Sequence, residues 1–192
     1  AAYAGAPARG KDGRECVEWI AAQPWCSGNV GTWGASALGL AQILTAAEQP
    51  AALKACVPIV VDANDTYEHA YEGGVYRRNQ YAFITTYYGL SYVTANPLYN
   101  TLWSLIESTD NPYPDIDVPM LFISGWYDIN VRQSIPQFHR LRAEGGPIAR
   151  AHSKLLVGPW SHSYVGAQRT GQLDFPAADK VSSIRALEYF DH

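Results

Sequence analysis

The stretch from Leu53 to Val61, LKACVPIVV, constrains the fold of this chain more than any other part of its sequence. Apolar residues run through it almost without a break, whereas a strand with one side facing solvent would alternate apolar and polar residues. We therefore expect a strand that is buried on both faces, which is typical of a parallel sheet with helices on each side.

Strand and helix patterns alternate along most of the remaining chain. Further strands are predicted at residues 30–33, 120–124 and 154–157, and helices from the N-cap Asp12 to Ala22, from the turn at Ser36 to about Ala47, at 135–143 with Pro136 in the first turn, and at 183–190. Strands that alternate with helices predict βαβ units, so the fold class is α/β. In such sheets the working residues gather at the carboxyl ends of the strands.

Residues 66–115 differ in kind from the rest of the chain. They lie between two predicted strands and hold nine of the thirteen tyrosines, which are Tyr67, Tyr71, Tyr76, Tyr81, Tyr87, Tyr88, Tyr92, Tyr99 and Tyr113. An insertion of this length is either a cap or lid over a site or a packing appendage. Tyrosine suits a half-wet pocket wall, and aromatic packing is an equally good explanation for any single one.

The composition indicates one globular domain over residues 1–192 and excludes several partners. Of the 192 residues, 47% are hydrophobic, enough for a sizeable core. The net charge is −4 and the basic residues are scattered, so we expect neither nucleic acid nor an anionic membrane as a partner. No apolar run approaches the roughly 20 residues of a membrane helix. Cys16, Cys26 and Cys56 form no C-x-x-C pair, which favours free thiols in the reducing cytoplasm.

A candidate nucleophile lies in the stretch VGTWGASALGLAQ, residues 30–42. Ser36 stands between small residues at a predicted strand-to-helix turn, as in the G-x-S-x-G elbow of hydrolases, but the second glycine, Gly39, comes one residue late. Ser36 is therefore either a nucleophile or a serine in a glycine-rich loop. The backbone N–H of Ala37, at the helix N-terminus, would be placed to donate to an oxyanion.

Two further residues follow predicted strands in the order that a hydrolase triad requires. Asp128 follows MLFISGWY and His162 follows KLLVGPWS, so that the chain order is Ser, Asp, His. A hydroxyl attacks a carbonyl, an imidazole takes and returns its proton, and a carboxylate fixes the tautomer. Each residue alone has an ordinary explanation, as a loop serine, a helix-capping aspartate or a loop histidine. Their joint placement after three strands favours the triad.

The motifs around these residues resemble a known family. DGRECVEWIAAQPW, VGTWGASALG, SGWYD and VGPWSHS, together with NPLYNTLW, IDVPML and LEYFDH, are similar to signature stretches of the X-Pro dipeptidyl-peptidase-like serine hydrolases, the group of cocaine esterase and the α-amino-acid ester hydrolases. The resemblance runs from about residue 12 to the end of the chain. It implies the α/β-hydrolase fold, with a parallel sheet flanked by helices and a cap insertion at residues 66–115.

The resemblance also implies roles for individual residues. Ser36 would be the nucleophile, Asp128 the triad acid and His162 the general base, with no metal or organic cofactor. The elbow of the family is written G-x-S-Y-x-G, so Gly39 fits, while Ala37 stands where a tyrosine is usual. The candidate substrate contacts are Trp126 and Trp160 within the motifs and Tyr67 and Tyr71 within the insertion.

Other features of the family have no counterpart in the sequence. Family members have several strands upstream of the DG-x-x-x-x-EW motif, one of which supplies a tyrosine hydroxyl to the oxyanion hole, and a β-rich jelly-roll domain after the FDH motif. Four of the usual eight strands are predicted here, and the upstream residue Tyr3 does not match the family context. We therefore expect a partial domain whose first strand is an exposed edge.

Three functional hypotheses follow. The first is a serine hydrolase that cleaves an ester or amide, including an X-Pro peptide or an α-amino acyl bond, through an acyl-enzyme. The second is a non-catalytic domain that assembles with the remainder of a hydrolase or with a second copy. The third is a small-molecule binding module that uses the tyrosine-rich segment. The acidic residues Asp65, Glu68 and Glu72 do not choose among substrates.

Overall fold

The computed structural model describes residues 6–62, 66–79, 81, 91–109 and 111–191. Its described residues fall into two compact units, a smaller one between residues 66 and 111 and a larger one made of residues 6–62 and 112–191. Four residues considered above lie outside the described part of the chain, namely Tyr3, Asp65, Tyr87 and Tyr88.

The secondary structure alternates between strands and helices, with short hairpins between them. The strands are β1 (Val30–Ala35), β2 (Leu53–Ile59), β3 (Tyr71–Glu72), β4 (Val75–Tyr76), β5 (Leu121–Gly125), β6 (Lys154–Gly158), β7 (Arg169–Thr170) and β8 (Leu173–Asp174). The helices are α1 (Ala6–Ala21), α2 (Ala37–Ala47), α3 (Tyr67–Ala70), α4 (Ser91–Ala95), α5 (Thr101–Thr109), α6 (Val131–Glu144), α7 (Pro147–His152) and α8 (Val181–Phe190). Two short 3₁₀ turns span Tyr113–Asp115 and Pro176–Ala178.

The larger unit is built on a four-stranded parallel sheet in the order β1-β2-β5-β6. Helices α2 and α6 connect successive strands, and α8 packs against β2 and β5. Parallel strands need such crossover connections, which cover the faces of the sheet. The parallel sheet with flanking helices confirms the predicted α/β class.

The apolar run that begins at Leu53 is buried as expected. Val57, Val60 and Val61 have no solvent exposure, and β5 is buried along its whole length. The regular strand ends at Ile59 rather than at Val61, because Val60 has a φ of +44° and leaves the extended conformation. At the end of the sheet order, β1 alternates between covered and exposed residues, and its Trp33 is 46% exposed.

Helix boundaries depart from the sequence prediction at three N-termini, by two residues at α8, which begins at Val181, and by more at α1 and α6. Helix α1 begins at Ala6, so Asp12 lies inside the helix and is not its N-cap. Gly10 and Gly13 explain this extension, since a Cβ on Gly10 would lie 2.9 Å from the Leu44 carbonyl oxygen of α2, and one on Gly13 would overlap Thr45. Because both glycines are bare, α1 packs closely on α2 over these turns.

Helix α6 begins at Val131, four residues before the predicted start. The carbonyl of Asn130 accepts hydrogen bonds from the N–H groups of Gln133 and Ser134, and these bonds start the helix early. Pro136 therefore lies inside the helix rather than in its first turn. A proline there removes one helical hydrogen bond, so contacts outside the helix must stabilise it.

An aromatic cluster holds the smaller unit together. Its buried members are Ala70, Tyr71, Tyr81, Val93, Trp103 and Ile106. The ring of Tyr67 stacks on that of Tyr71 with 5.1 Å between centroids. The Tyr71 hydroxyl donates to the Val93 carbonyl at 2.9 Å, and the Tyr67 hydroxyl donates to the Pro97 carbonyl at 3.0 Å. Both tyrosines thus serve the packing of this unit.

None of the helices in the described residues combines the length and the apolar composition that crossing a membrane requires.

Candidate active site

Ser36 lies at the turn from β1 to α2 in a conformation that few residues other than glycine adopt. Its φ is +55° and its ψ is −120°. Its N–H donates to the Ile59 carbonyl at 2.8 Å, and its own carbonyl accepts from the Leu40 N–H at 3.0 Å. Holding a residue in such a conformation costs about 1–3 kcal/mol, and such residues cluster at functional sites. The turn has the strained strand-to-helix geometry of a nucleophile elbow.

Two glycines make this sharp turn possible, and they explain the late second glycine. A Cβ on Gly34 would lie 2.7 Å from Leu38 Cβ, so the strand before the turn cannot carry a side chain there. A Cβ on Gly39 would lie 3.1 Å from Val61 Cβ and 3.3 Å from the Gly34 carbonyl oxygen. Leu38, where the usual pattern places glycine, is 67% exposed and needs no such space. The position that needs a residue without a side chain is therefore Gly39 and not Leu38.

A short hydrogen bond joins Asp128 and His162. His162 Nδ1 lies 2.7 Å from Asp128 Oδ2, and Asp128 Oδ1 accepts the backbone N–H of Asn130 at 2.6 Å. The Asp128 side chain has no solvent exposure, whereas that of His162 is 30% exposed. The carboxylate therefore fixes the imidazole through Nδ1 and leaves Nε2 as the nitrogen for proton transfer.

The same hydrogen bond sets the acid–base property of the imidazole. It raises the pKa of His162 above its usual value, while partial burial acts in the opposite direction and lowers it. A buried carboxylate stabilises the imidazolium, which is the form that a general base reaches after it takes a proton. The pair thus has the electronic arrangement that a base next to a serine requires.

Glycines at the ends of β5 and β6 let the two following loops cross. The N–H of Trp126 donates to the Gly158 carbonyl at 2.8 Å, and that of Tyr127 donates to the Trp160 carbonyl at 3.0 Å. A Cβ on Gly125 would overlap the backbone carbonyl of Trp160, and one on Gly158 would lie 2.6 Å from the Trp160 ring. These hydrogen bonds join the segment after β5, which leads to Asp128, to the segment after β6, which leads to His162.

The structure corrects the expectation that Trp160 contacts substrate. Trp160 is 1% exposed and belongs to the core cluster with Ile123 and Val57. Its ring covers Gly158, so its role is to hold the loop that leads to His162.

The other predicted substrate contacts differ in their accessibility. Trp126 is 62% exposed at the carboxyl end of β5, beside Tyr127, which is 50% exposed. Tyr71 is 4% exposed in the core of the smaller unit, which contradicts a position on an open pocket wall. The Tyr67 hydroxyl is already used by a backbone carbonyl. Trp126 is the predicted contact that stands open to solvent.

The three triad candidates follow the carboxyl ends of strands in one sheet. One residue of each strand pairs with its neighbour at the same level of the sheet, and these four residues are Ala35, Ile59, Ile123 and Leu156. Ser36 directly follows this level on β1, while Asp128 and His162 follow it by five and six residues on β5 and β6. Among the described residues, Ser36 Oγ makes no hydrogen bond with the imidazole. Such bonds in ligand-free enzymes are often long and tighten only when substrate binds.

Ala37 is the first residue of α2, a helix of 11 residues. The first N–H groups of a helix have no partner within the helix, and the helix dipole adds partial positive charge there. The Ala37 N–H, directly after the serine, therefore lies where a donor to an oxyanion is predicted.

Sequence reasoning overlooked Asn130, which contacts Asp128 through its backbone N–H. The sequence signal was weak, because Asn130 follows Asp128 by two residues but lies five residues before the helix predicted at 135–143. Asparagine shortly before a helix suggests a helix cap. A helix cap gives no reason to expect that the side chain donates to the Val60 carbonyl instead.

The parallel sheet with its flanking helices has the α/β-hydrolase fold. Residues 3–101 and 85–164 match the family model described as X-Pro dipeptidyl-peptidase (S15 family). The chain belongs to this family.

A curated relative supports the same relationship. Cocaine esterase from Rhodococcus sp. (strain MB1 Bresler) is 26% identical to this chain over an alignment 203 residues long. The alignment covers 79% of this chain and 34% of the relative. The chain thus spans about a third of the length of that relative.

Solved structures share the fold. A CocE/NonD family hydrolase from Staphylococcus aureus has a TM-score of 0.63 at 24% identity, over 95% of this chain and 32% of the other. An aminopeptidase from the marine sediment archaeon Thaumarchaeota archaeon has a TM-score of 0.67 at 18% identity, over 94% and 37%. An esterase from Pyrobaculum calidifontis has a TM-score of 0.59 at 16% identity, over 94% and 59%.

Proposed function

We propose that this chain carries the catalytic triad of a serine hydrolase that cleaves ester or amide bonds through an acyl-enzyme. The observation that carries the proposal is the hydrogen bond of 2.7 Å between His162 and a fully buried Asp128, formed at the same end of the sheet as the strained elbow at Ser36. A buried carboxylate, an imidazole and an elbow serine together are much harder to explain by packing than any one of them.

In the proposed reaction, Ser36 Oγ attacks the carbonyl carbon of the substrate while His162 Nε2 takes its proton. The Ala37 N–H donates to the oxyanion of the tetrahedral intermediate. The imidazolium then gives its proton to the leaving alcohol or amine, and the bond between the carbonyl carbon and the leaving group breaks. Water repeats the same steps on the acyl-serine, which releases the acid and restores the hydroxyl.

The proposed substrates are small esters and amides, including an X-Pro peptide or an α-amino acyl group. Support comes from membership of the S15 family and from the names of the relatives, which include an esterase and an aminopeptidase. Trp126, 62% exposed beside the triad acid, is the proposed apolar contact for the acyl or leaving group. We place the protein in a reducing compartment such as the cytoplasm, since Cys16, Cys26 and Cys56 are all free.

The test is hydrolysis of p-nitrophenyl acetate and of glycyl-prolyl-p-nitroanilide by the purified protein. Ser36→Ala should lower kcat by about 10⁶-fold, the size of effect seen when a serine protease loses its nucleophile. Ser27→Ala, in an exposed turn outside the site, should retain wild-type rates. Equal hydrolysis by wild type and Ser36→Ala would refute the proposal, and the comparison of the two substrates ranks ester against X-Pro amide.

A further inference from the structure

The segment that follows β2 has an unusual backbone. Val60 is a β-branched residue with a φ of +44°, and it has no solvent exposure. β-Branched residues rarely adopt positive φ, so neighbouring groups must hold this corner in place. The Val60 N–H donates to the Ile123 carbonyl of β5 at 2.7 Å, which fixes one side of the corner to the sheet.

Helix α6 holds the other side of the corner. Asn130 Nδ2 donates to the Val60 carbonyl at 3.1 Å, and Ser134 Oγ donates to the Val61 carbonyl at 2.8 Å. Both donors are buried, with Asn130 7% and Ser134 1% exposed. Two successive carbonyls at the end of β2 are thus bound by two side chains from one face of α6.

Asn130 departs from what asparagine normally does at the start of a helix. It occupies the N-cap position of α6, yet its side chain makes no capping hydrogen bond. An N-cap side chain normally accepts a hydrogen bond from the first turn of its own helix. Here the amide is used on Val60 instead, while the backbone N–H of the same residue donates to Asp128 Oδ1 at 2.6 Å.

The corner also contacts the nucleophile elbow. A Cβ on Gly39 would lie 3.1 Å from Val61 Cβ, so Val61 packs closely against Gly39, which belongs to the first turn of α2 after Ser36. In the sheet order, β2 lies between β1, which ends at the serine, and β5, which ends before the aspartate. The segment after β2 is therefore packed against the helix of the nucleophile and bound to the residue that holds the triad acid.

We propose that Asn130 is a positioning residue of the triad, which clamps the Val60 corner with its side chain while its backbone N–H holds Asp128 against His162. The proposal rests on the proposed function, in that the pair it positions is the acid and base of the hydrolase. Loss of the amide would let the start of α6 shift relative to the corner, and the Asp128 carboxylate would shift with it. A misplacement of about 1 Å in a catalytic group costs up to about 100-fold in rate.

The experiment compares Asn130→Ser with wild type and with Ser134→Ala. Serine is favoured at an N-cap, so helix α6 should still start at the same place, but its side chain is too short to reach the Val60 carbonyl. Ser134→Ala removes the matching bond to Val61 from the same helix face and leaves Asn130 intact. Circular dichroism checks that each variant is folded, and Asn130→Ala is the substitute if Asn130→Ser is not.

Two readouts are taken, of which the first does not depend on activity. The proton between His162 Nδ1 and Asp128 gives a low-field proton resonance in NMR spectra, and Asn130→Ser should shift or abolish it while Ser134→Ala leaves it unchanged. The rate at which a fluorophosphonate labels the protein should fall by about 10- to 100-fold in Asn130→Ser and by less than twofold in Ser134→Ala.

An unchanged resonance in Asn130→Ser would overturn the positioning role, whatever happens to the labelling rate. If Ser134→Ala loses the resonance and the labelling rate as much as Asn130→Ser does, the effect comes from general packing and the positioning role is wrong. A wild-type protein that shows the resonance but no labelling would contradict the proposed hydrolase function instead. In that case the resonance in the two variants still tests whether Asn130 holds Asp128 against His162.

Discussion

Ser36 and Val60 are two non-glycine residues with positive φ at the ends of neighbouring strands, at +55° and +44°. Strained residues persist only where the surrounding structure holds them, and they are common at functional sites. Around Ser36 the strain is accommodated by bare glycines at positions 34 and 39, and around Val60 by hydrogen bonds from α6 and β5. Two of the four non-glycine residues with positive φ among the described residues thus lie at the strand ends next to the triad candidates, while the other two, Gln49 and Lys180, lie elsewhere.

The pKa of His162 gives a prediction about pH. Because the hydrogen bond with Asp128 raises this pKa, the general base is protonated up to a higher pH than a free imidazole, whose usual value is about 6.5. The labelling rate should therefore rise with pH through the raised pKa. Asp128→Asn should move the midpoint of the His162 titration, followed by NMR, to lower pH, and should slow hydrolysis by about 10⁴-fold.

The same shift has a consequence for folding. A raised pKa in the folded state means that the protonated imidazole stabilises the fold fully below its unfolded pKa, and that this contribution is lost as the pH rises through the folded pKa. Asp128→Asn should remove that pH dependence from the free energy of unfolding. A His162 midpoint in Asp128→Asn that equals or exceeds the wild-type value would contradict the assigned cause.

The cysteines predict a graded pattern of reactivity. Burial raises the pKa of the Cys56 thiol to about 12, and the residue has no solvent exposure, whereas Cys16 is exposed. Because the thiolate is the reactive form, a disulfide reagent should modify Cys16 in the native protein and reach Cys56 only after denaturation. Counting modified thiols with Ellman's reagent with and without urea, in wild type and Cys56→Ala, checks this. Native modification of Cys56 would show that its strand opens readily.

At the scale of elements, the site depends on loops that cross at the ends of β5 and β6. Gly125→Ala would push a Cβ into the backbone of Trp160, whose carbonyl carbon lies 2.6 Å from that position. Backbone cannot give way as a side chain does, so we expect a loss of about 1–3 kcal/mol in the free energy of unfolding. Hydrolysis should slow as well, because Trp160 precedes His162 by two residues.

Gly28→Ala is the matched control for that substitution. Unlike Gly125, Gly28 has positive φ, at +86°, and a Cβ there would meet no atom within 4 Å. It should cost about 1 kcal/mol through the backbone alone and leave hydrolysis unchanged. Urea denaturation and ester hydrolysis measure both effects, and equal behaviour of the two variants would contradict the role assigned to the crossing loops.

The order of the four sheet strands and of helices α1, α2, α6 and α8 followed from the sequence, because apolar runs and helical periodicity report burial directly. Helix α7, the β7–β8 hairpin and the short elements of the smaller unit were not predicted. Exact boundaries did not follow where a contact with a distant part of the chain decides them. Helix α1 extends past Asp12 because bare glycines fit against α2, and β2 ends at Ile59 because Val60 turns. Motif position also misled for Trp160, since a tryptophan beside a catalytic histidine supports the loop as readily as it faces a substrate.

At the scale of the whole molecule, the described residues hold a sheet of four parallel strands, and the chain spans about a third of the curated relative that it matches. All three triad candidates lie within this part, at the carboxyl ends of β1, β5 and β6. The proposed oxyanion donor among the described residues is the Ala37 N–H, and one such donor typically contributes about 3 kcal/mol to the stabilisation of the transition state. The proposed activity therefore rests on the triad and on how firmly the sheet and its loops hold it.

The most direct test of that claim is to treat the purified protein with a fluorophosphonate and to map the adduct by peptide mass spectrometry. We predict one adduct, on Ser36, which is absent from Ser36→Ala and forms at least about 1,000-fold more slowly in His162→Ala, since the imidazole activates the hydroxyl. An adduct on another residue, labelling that persists in Ser36→Ala, or a wild-type protein that stays unlabelled would contradict the triad.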